Sequence, residues 1–168
     1  MVNGEYCFNY EKNTVVIDAD GCPVVKIAAA VSKEYRAMCR VVCDSAHVFN
    51  SENLSGAEVV TVSQGADSAD FYIVNHIVQN DIVITQDYGL AAMCLAKKAC
   101  VINQNGQIYT DRNIGGLLEK RAVGQKIRRS GGRTKGPKKR TADKNERFIK
   151  TLRRLLSYGR EFQQTDVE

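Results

Sequence analysis

Five aspartates could, by type and spacing, share one cation. Asp18 and Asp20 close the apolar run Val15-Val16-Ile17. Asp67 and Asp70 follow Val59-Val60-Thr61-Val62 and a break at Gly65, and Asp87 follows Ile82-Val83-Ile84-Thr85. An apolar, β-branched run that ends in carboxylates and then opens a helix is how an α/β sheet presents chemistry beyond the carboxyl ends of its strands. If these strands lie parallel in one sheet, the five carboxylates meet on one rim. Two ionised carboxylates about 5 Å apart repel by about 3 kcal/mol at an effective dielectric near 20, so such a rim calls for a cation. Oxygen donors without paired histidines suit Mg²⁺ or Mn²⁺ rather than zinc. Those ions bind phosphate oxygens and activate water for in-line attack on a phosphodiester.

Each aspartate also has a plainer explanation. Asp20, Asp67 and Asp87 precede expected helices, where a carboxylate accepts orphan N–H bonds and suits the helix dipole. Asp18, at the end of a buried strand, and Asp70, a turn into its helix, fit that account poorly. Asn75, one turn beyond Asp70, and Thr85, before Asp87, could orient a ligand or water, or simply pack and cap. Cys39-x3-Cys43 with His47 is half of a zinc pattern whose second pair does not follow. His76 falls within an expected helix. No Ser/His/Asp set stands out, and Gly131-Gly132 has no preceding strand to make it a phosphate loop.

The elements that must position the rim are legible as alternation. Strands are expected at about 14–18, 39–43, 58–62, 82–85 and 100–103. Helices are expected at about 23–38, opened by Pro23, at 67–79 with Phe71, Val74, Ile77 and Val78 inward, and at 88–98. Asn105-Gly106 is a hairpin turn, so 107–109 should return as a short strand. Thr110 should then cap a helix carrying Ile114, Leu117 and Leu118, weakened by Gly115-Gly116. Strands alternating with helices imply an α/β fold, a three-layer sandwich around a mostly parallel five-stranded sheet.

Charge divides the chain. Residues 1–119 hold 8 Lys/Arg against 14 Asp/Glu, whereas residues 120–154 hold 15 against 2. An acidic body with a basic appendage suits a polyanion partner. Residues 128–141, RRSGGRTKGPKKRT, cannot bury a core and read as a mobile loop. A last helix should open on the capping-box pair Asp143 and Glu146 and run to about residue 157, docking through Phe148, Ile149, Leu152, Leu155 and Leu156. Residues 1–127 are thus an α/β domain, and residues 128–168 a basic loop and helix packed on it. Candidate contacts to nucleic acid are Arg128, Arg129, Arg133, Lys135, Lys138, Lys139 and Arg140.

No run reaches 18 apolar residues, so no membrane span is expected. Residues 1–10 lack the basic and apolar regions of a secretory signal. The six cysteines are therefore expected as reduced packing thiols in a cytoplasmic protein. Self-association is left open.

Three sets of residues together resemble the YaiI/YqxD family (UPF0178, DUF188), a bacterial group placed among PIN-like domains. They are Asp18-x-Asp20-x-Cys22-Pro23-Val24, Gly65-x-Asp67-x-x-Asp70, and Ile82-Val83-Ile84-Thr85-x-Asp87. Ser130-Gly131-Gly132-x-Thr134-x-Gly136-Pro137 carries the same resemblance, which spans about residues 14–156. It implies a PIN-like fold with strand order 3-2-1-4-5 and a metal-dependent nuclease site. Its acids would be Asp18 and Asp20 on the first strand, then Asp67 and Asp70, then Asp87, with Asp18, Asp20, Asp70 and Asp87 on the metal. The expected activity is a Mg²⁺- or Mn²⁺-dependent nuclease, RNA ahead of DNA. Two alternatives compete with it. One is a nucleic-acid-binding protein without turnover. The other is a phosphohydrolase of the haloacid-dehalogenase type, whose nucleophile motif Val16-Ile17-Asp18-Ala19-Asp20-Gly21 resembles.

Overall fold

A computed structural model describes residues 7–44, 49–65, 67–134, 136 and 138–165, without the side chains of Ser51 and of residues 159–165. His47 and Lys135, both singled out above, lie outside the described residues.

Six strands form one sheet in the order β3-β2-β1-β4-β5-β6. They are β1 (Thr14–Asp18), β2 (Met38–Asp44), β3 (Glu58–Val62), β4 (Ile82–Ile84), β5 (Cys100–Ile102) and β6 (Ile108–Tyr109). The first five pair in parallel and β6 runs antiparallel to β5. The sheet has six strands rather than five. The Asn103–Gln107 turn, where Gly106 takes φ +79°, brings residues 108 and 109 back onto β5.

Period-two alternation sorts the strand side chains into two cores. Val15, Ile17, Val41, Ile82, Ile84 and Ile102 pack with α1 (Val25–Glu34) and α5 (Ala142–Thr165). Val16, Val42, Val83 and Val101 pack with α2 (Ser68–His76), α3 (Tyr88–Ala96) and the start of α4 (Asp111–Arg129). Helices thus cover both faces, as parallel strands require. Among the described residues no helix is long and apolar enough to cross a membrane, and all six cysteines are free thiols.

Four local expectations are corrected. Helix α1 starts at Val25, because a turn at Ala19–Cys22 with Gly21 at φ +67° comes first, and it stops before Arg36 at φ +57°. Helix α2 turns Ala69 and Ile73 inward, followed by Ile77, and leaves Phe71 62% and Val78 51% exposed. Two i, i+4-like stripes overlap in that segment, and only docking on the sheet chooses between them. Helix α4 continues through Gly115-Gly116 to Arg129, supported by a reciprocal cap between Thr110 and Asn113. Helix α5 begins at Ala142, so Asp143 sits within its first turn rather than capping it. Phe148, Leu152, Leu155 and Leu156 of α5 are fully buried, which fixes the helix to the sheet face beside α1.

Candidate active site

Parallel pairing puts Ile17, Ile84 and Ile102 at one level. The next residues, Asp18, Thr85 and Asn103, therefore stand side by side where the strands end. The β1–β2 register places Asp18 opposite Val42, so Asp44 lies level with Asp20. Around these ends opens a cleft of about 500 Å³, lined by Asp18, Asp20, Asp44, Asp67, Asp70, Asp87, Tyr88 and Arg121 among others. All five expected aspartates meet there. Asp44 and Arg121 join them unexpectedly. Asp44 ends β2 much as Asp18 ends β1, which was a readable signal; Arg121 sits on a helix expected to be weakened by Gly115-Gly116.

Thr85 organises the floor. Its Oγ1 donates to Asp18 Oδ2 at 2.7 Å and accepts from the backbone N–H of Asp87 at 3.0 Å. Asp87 caps α3: its Oδ1 accepts from the N–H groups of Gly89 and Leu90 at 2.7 and 3.0 Å. Its Oδ2 accepts from Arg121 at 3.2 Å. Asp20 is not the N-cap of α1, which starts at Val25 behind Val24, and its Oδ1 is closed off from solvent. Asp67 precedes α2 in a left-handed conformation, φ +62°, and its side chain makes no cap bond. Asn75 is exposed on α2 and does not line the cleft. His76 is exposed too and stacks on Tyr72, ring centroids 3.9 Å apart.

The electrostatics follow from burial and crowding. Burial first, and then the charges of Asp70, Asp20 and Asp87, push Asp18 up to about 6 in spite of the Thr85 hydrogen bond. Asp70 is likewise pushed up to about 6, by burial and by Asp87, Asp67 and Asp20, with Arg121 opposing. Burial also acts to raise Asp87, but the Leu90 and Gly89 N–H groups and Arg121 outweigh it and hold this carboxylate below its ordinary range. The rim thus holds carboxylates that resist ionisation beside one that does not.

Among the described residues no three His, Cys, Asp or Glu side chains are disposed as a ready-made metal cage. That does not suit a closed structural site. Mg²⁺ and Mn²⁺ differ from such sites in keeping several waters and being held by one or two carboxylates together with substrate phosphate oxygens. The donors are all oxygens, the choice of a hard cation.

On the basic side, Arg129, Arg133, Lys138 and Lys139 are exposed, and Arg128 donates to Thr134 Oγ1 at 3.3 Å. Arg128 and Arg129 belong to the last turn of α4 rather than to a loop. Arg140 differs from the others. Its guanidinium donates to Gln104 O (2.6 Å), Asn105 Oδ1 (3.1 Å) and Asn145 Oδ1 (2.7 Å), clamping the end of the basic segment to the β5–β6 turn.

A mostly parallel α/β sheet with a carboxylate-lined cleft at the carboxyl ends of its strands defines the class of protein. Within that class the chain belongs to the DUF188 family, described as "Uncharacterized BCR, YaiI/YqxD family COG1671", whose family model matches residues 16–158. It is 52% identical to a UPF0178 protein of Exiguobacterium sibiricum over 84% of this chain and 94% of that one. It is 47% identical to a UPF0178 protein of Natranaerobius thermophilus, over 84% and 95%. A UPF0178 protein of Clostridium acetobutylicum is 39% identical over 87% and 98%. No solved structure matches the chain.

Proposed function

We propose that the chain is a Mg²⁺- or Mn²⁺-dependent phosphodiesterase acting on nucleic acid, RNA ahead of DNA, with a PIN-like arrangement of acids. In this reading residues 1–127 carry the chemistry, residues 128–168 hold the backbone, and the free thiols fit a cytoplasmic setting. The observation that carries it is the gathering of six aspartates around one cleft, two of them pushed up to about 6 by burial and mutual repulsion. Concentrating like charge at that cost to the fold is what a site for a cation and a phosphate looks like.

Asp18, Asp20, Asp70 and Asp87 are the residues to hold the cation, which when bound supplies Lewis acidity and a water of lowered pKa. The chain's own groups set the geometry. Thr85 fixes the orientation of Asp18 and ties it to the backbone of Asp87. The α3 N-terminus holds one oxygen of Asp87 and leaves the other facing Arg121. Arg121 is the cation on the cleft lip, placed to receive a phosphodiester by charge-assisted hydrogen bonds.

The test uses the purified chain with end-labelled single-stranded RNA and DNA, with Mn²⁺, Mg²⁺ or EDTA. Cleavage that needs the cation and favours RNA is expected, together with a rise in melting temperature on adding Mn²⁺, because a ligand of the native state alone stabilises it. Neither cleavage nor a melting shift at millimolar metal sinks the proposal. The exposed cations Arg129, Arg133, Lys138 and Lys139 would equally serve a second reading, a protein that binds nucleic acid without turnover; binding that is indifferent to metal, with no cleavage, would establish it.

A further inference from the structure

We propose that a second cavity, between the β5–β6 turn and α5, is a phosphate-binding site that holds a nucleic-acid strand beyond the acidic cleft. The inference rests on the nucleic-acid reading above, but not on catalysis.

The cavity measures about 490 Å³, within the roughly 300–1,000 Å³ typical of ligand pockets. Its chemistry is the reverse of the cleft's. Six aspartates line the cleft, whereas here the lining described contains no carboxylate, only the amides of Asn103, Asn105 and Gln107, the Thr151 hydroxyl, and the cations Arg147 and Lys150. These cations stand at i, i+3 spacing, so they share one face of α5. Arg40, Arg121 and Arg153 are paired with acids, and Arg140 is clamped to the turn. Among the described residues Arg147 and Lys150 have no such side-chain partner, and both are exposed. Two adjacent cations facing amide groups, without an anion of the chain between them, suit a phosphate and the polar edges of the sugar or base attached to it.

The walls are built rather than loose. Asn103 Oδ1 accepts from the N–H groups of Asn105 and Gln107 at 2.9 and 3.0 Å, and Thr151 donates to Gly106 O at 2.9 Å. Gly106 lies so close to α5 that a Cβ there would sit 2.6 Å from the backbone oxygen of Arg147. Arg140 pins the same turn from the basic segment's end.

Position commits the site to a strand rather than a free anion. Asn103 is level with Thr85 and Asp18 on the sheet edge, because Ile102, Ile84 and Ile17 are in register. Two strand spacings, about 10 Å, separate Asn103 from Asp18. A single strand crossing the carboxyl edge of the sheet from the cleft toward α5 passes over this cavity.

The experiment compares the full chain with Arg147→Ala/Lys150→Ala and with the charge-matched control Lys26→Ala/Lys33→Ala on exposed α1 positions. All four side chains are exposed, and melting curves check the fold. A fluorescent single-stranded oligonucleotide is titrated without metal, and inorganic phosphate separately. The cavity variant should lose about tenfold in oligonucleotide affinity, with a salt slope shallower by about 1.4 for two phosphate contacts, while the control keeps the wild-type slope. Equal behaviour of the two variants overturns the inference. Loss of phosphate binding with oligonucleotide binding intact also overturns it, since the occupant is then a free anion. If wild type binds the strand but cleaves nothing, and the cavity variant loses affinity where the control does not, the catalytic reading fails and the cavity stands. If wild type binds and cleaves and the cavity variant matches it, only the cavity fails. A wild type that binds no oligonucleotide overturns both.

Discussion

The acidic cleft and the basic side of the molecule are charged regions made in opposite ways. The cleft's carboxylates project from strand ends, the turns beside them and the first turn of α2, where the fold forces them together. Asp18 is held by Thr85, Asp87 by the α3 N-terminus, and burial works against the ionised form of both. Arg129, Arg133, Lys138 and Lys139, by contrast, are exposed side chains on the end of α4 and the segment after it. Like charges are expensive where geometry cannot relax and cheap where water and chain freedom separate them. The cleft therefore stores repulsion that a cation can relieve, whereas the basic side supplies a salt-sensitive grip with little demand on the fold. Arg121 belongs to both: it sits on α4 and reaches Asp87 in the cleft.

The sharpest way to break this contrast is to neutralise the cleft. Asn caps a helix about as well as Asp, so Asp87→Asn should keep α3, and Asp18→Asn should keep its Thr85 bond. Each should lower metal-dependent cleavage by about a hundredfold or more and shrink the Mn²⁺-induced melting shift, with oligonucleotide affinity within about twofold of wild type. Unchanged cleavage and melting shift in both would reduce the rim to caps and turn residues.

Neutralising the grip should do the converse. Arg128→Ala/Arg129→Ala/Arg133→Ala should weaken single-strand binding about tenfold or more and flatten the log–log salt slope by about 2, at roughly 0.7 per phosphate contact. The Mn²⁺ melting shift should stay at the wild-type value. A reduced shift would mean that the two regions are not separable.

The stored repulsion predicts a pH dependence. Asp18 and Asp70 have folded values near 6 against an ordinary 3.8, so the native state binds more protons than the unfolded state between those limits. Metal-free stability from these two groups should be highest below about pH 4 and should fall as the pH rises through about 6. Asp18→Asn should raise metal-free stability at pH 8 by about 1–2 kcal/mol, and Mn²⁺ should cancel that advantage. Denaturant melts at pH 4, 6 and 8 read this directly, and a mutant less stable than wild type at pH 8 contradicts the stored-repulsion account.

The smallest effect sharpens the link between the regions. Arg121→Ala releases Asp87 Oδ2 and removes a cation from the lip, so Mn²⁺ should bind a few-fold more tightly in the absence of nucleic acid, while cleavage falls. Isothermal titration without substrate measures the first; weaker Mn²⁺ binding would show that Arg121 supports the metal geometry instead of competing with it.

The sequence alone determined the strands, their apolar alternation, the carboxylates that end them and the change of charge near residue 120. Each of these is written in local order: β-branched runs, turn residues, and the composition of one segment. The parallel order β3-β2-β1-β4-β5 was legible through the family resemblance, and β6 through Asn105-Gly106. What local order could not carry was phase and partnership. Which stripe of α2 turns inward depends on the sheet surface that Ala69 and Ile73 meet. Asp44 enters the cleft because β2, paired with β1 as far as Val42, runs on to Asp44. Arg121 reaches Asp87 across 34 positions of chain, and Arg140 reaches Gln104 across 36. Such contacts exist only once the sheet has closed, because a hydrogen bond between distant residues is decided by the packing that brings them together, and no spacing in the sequence encodes it.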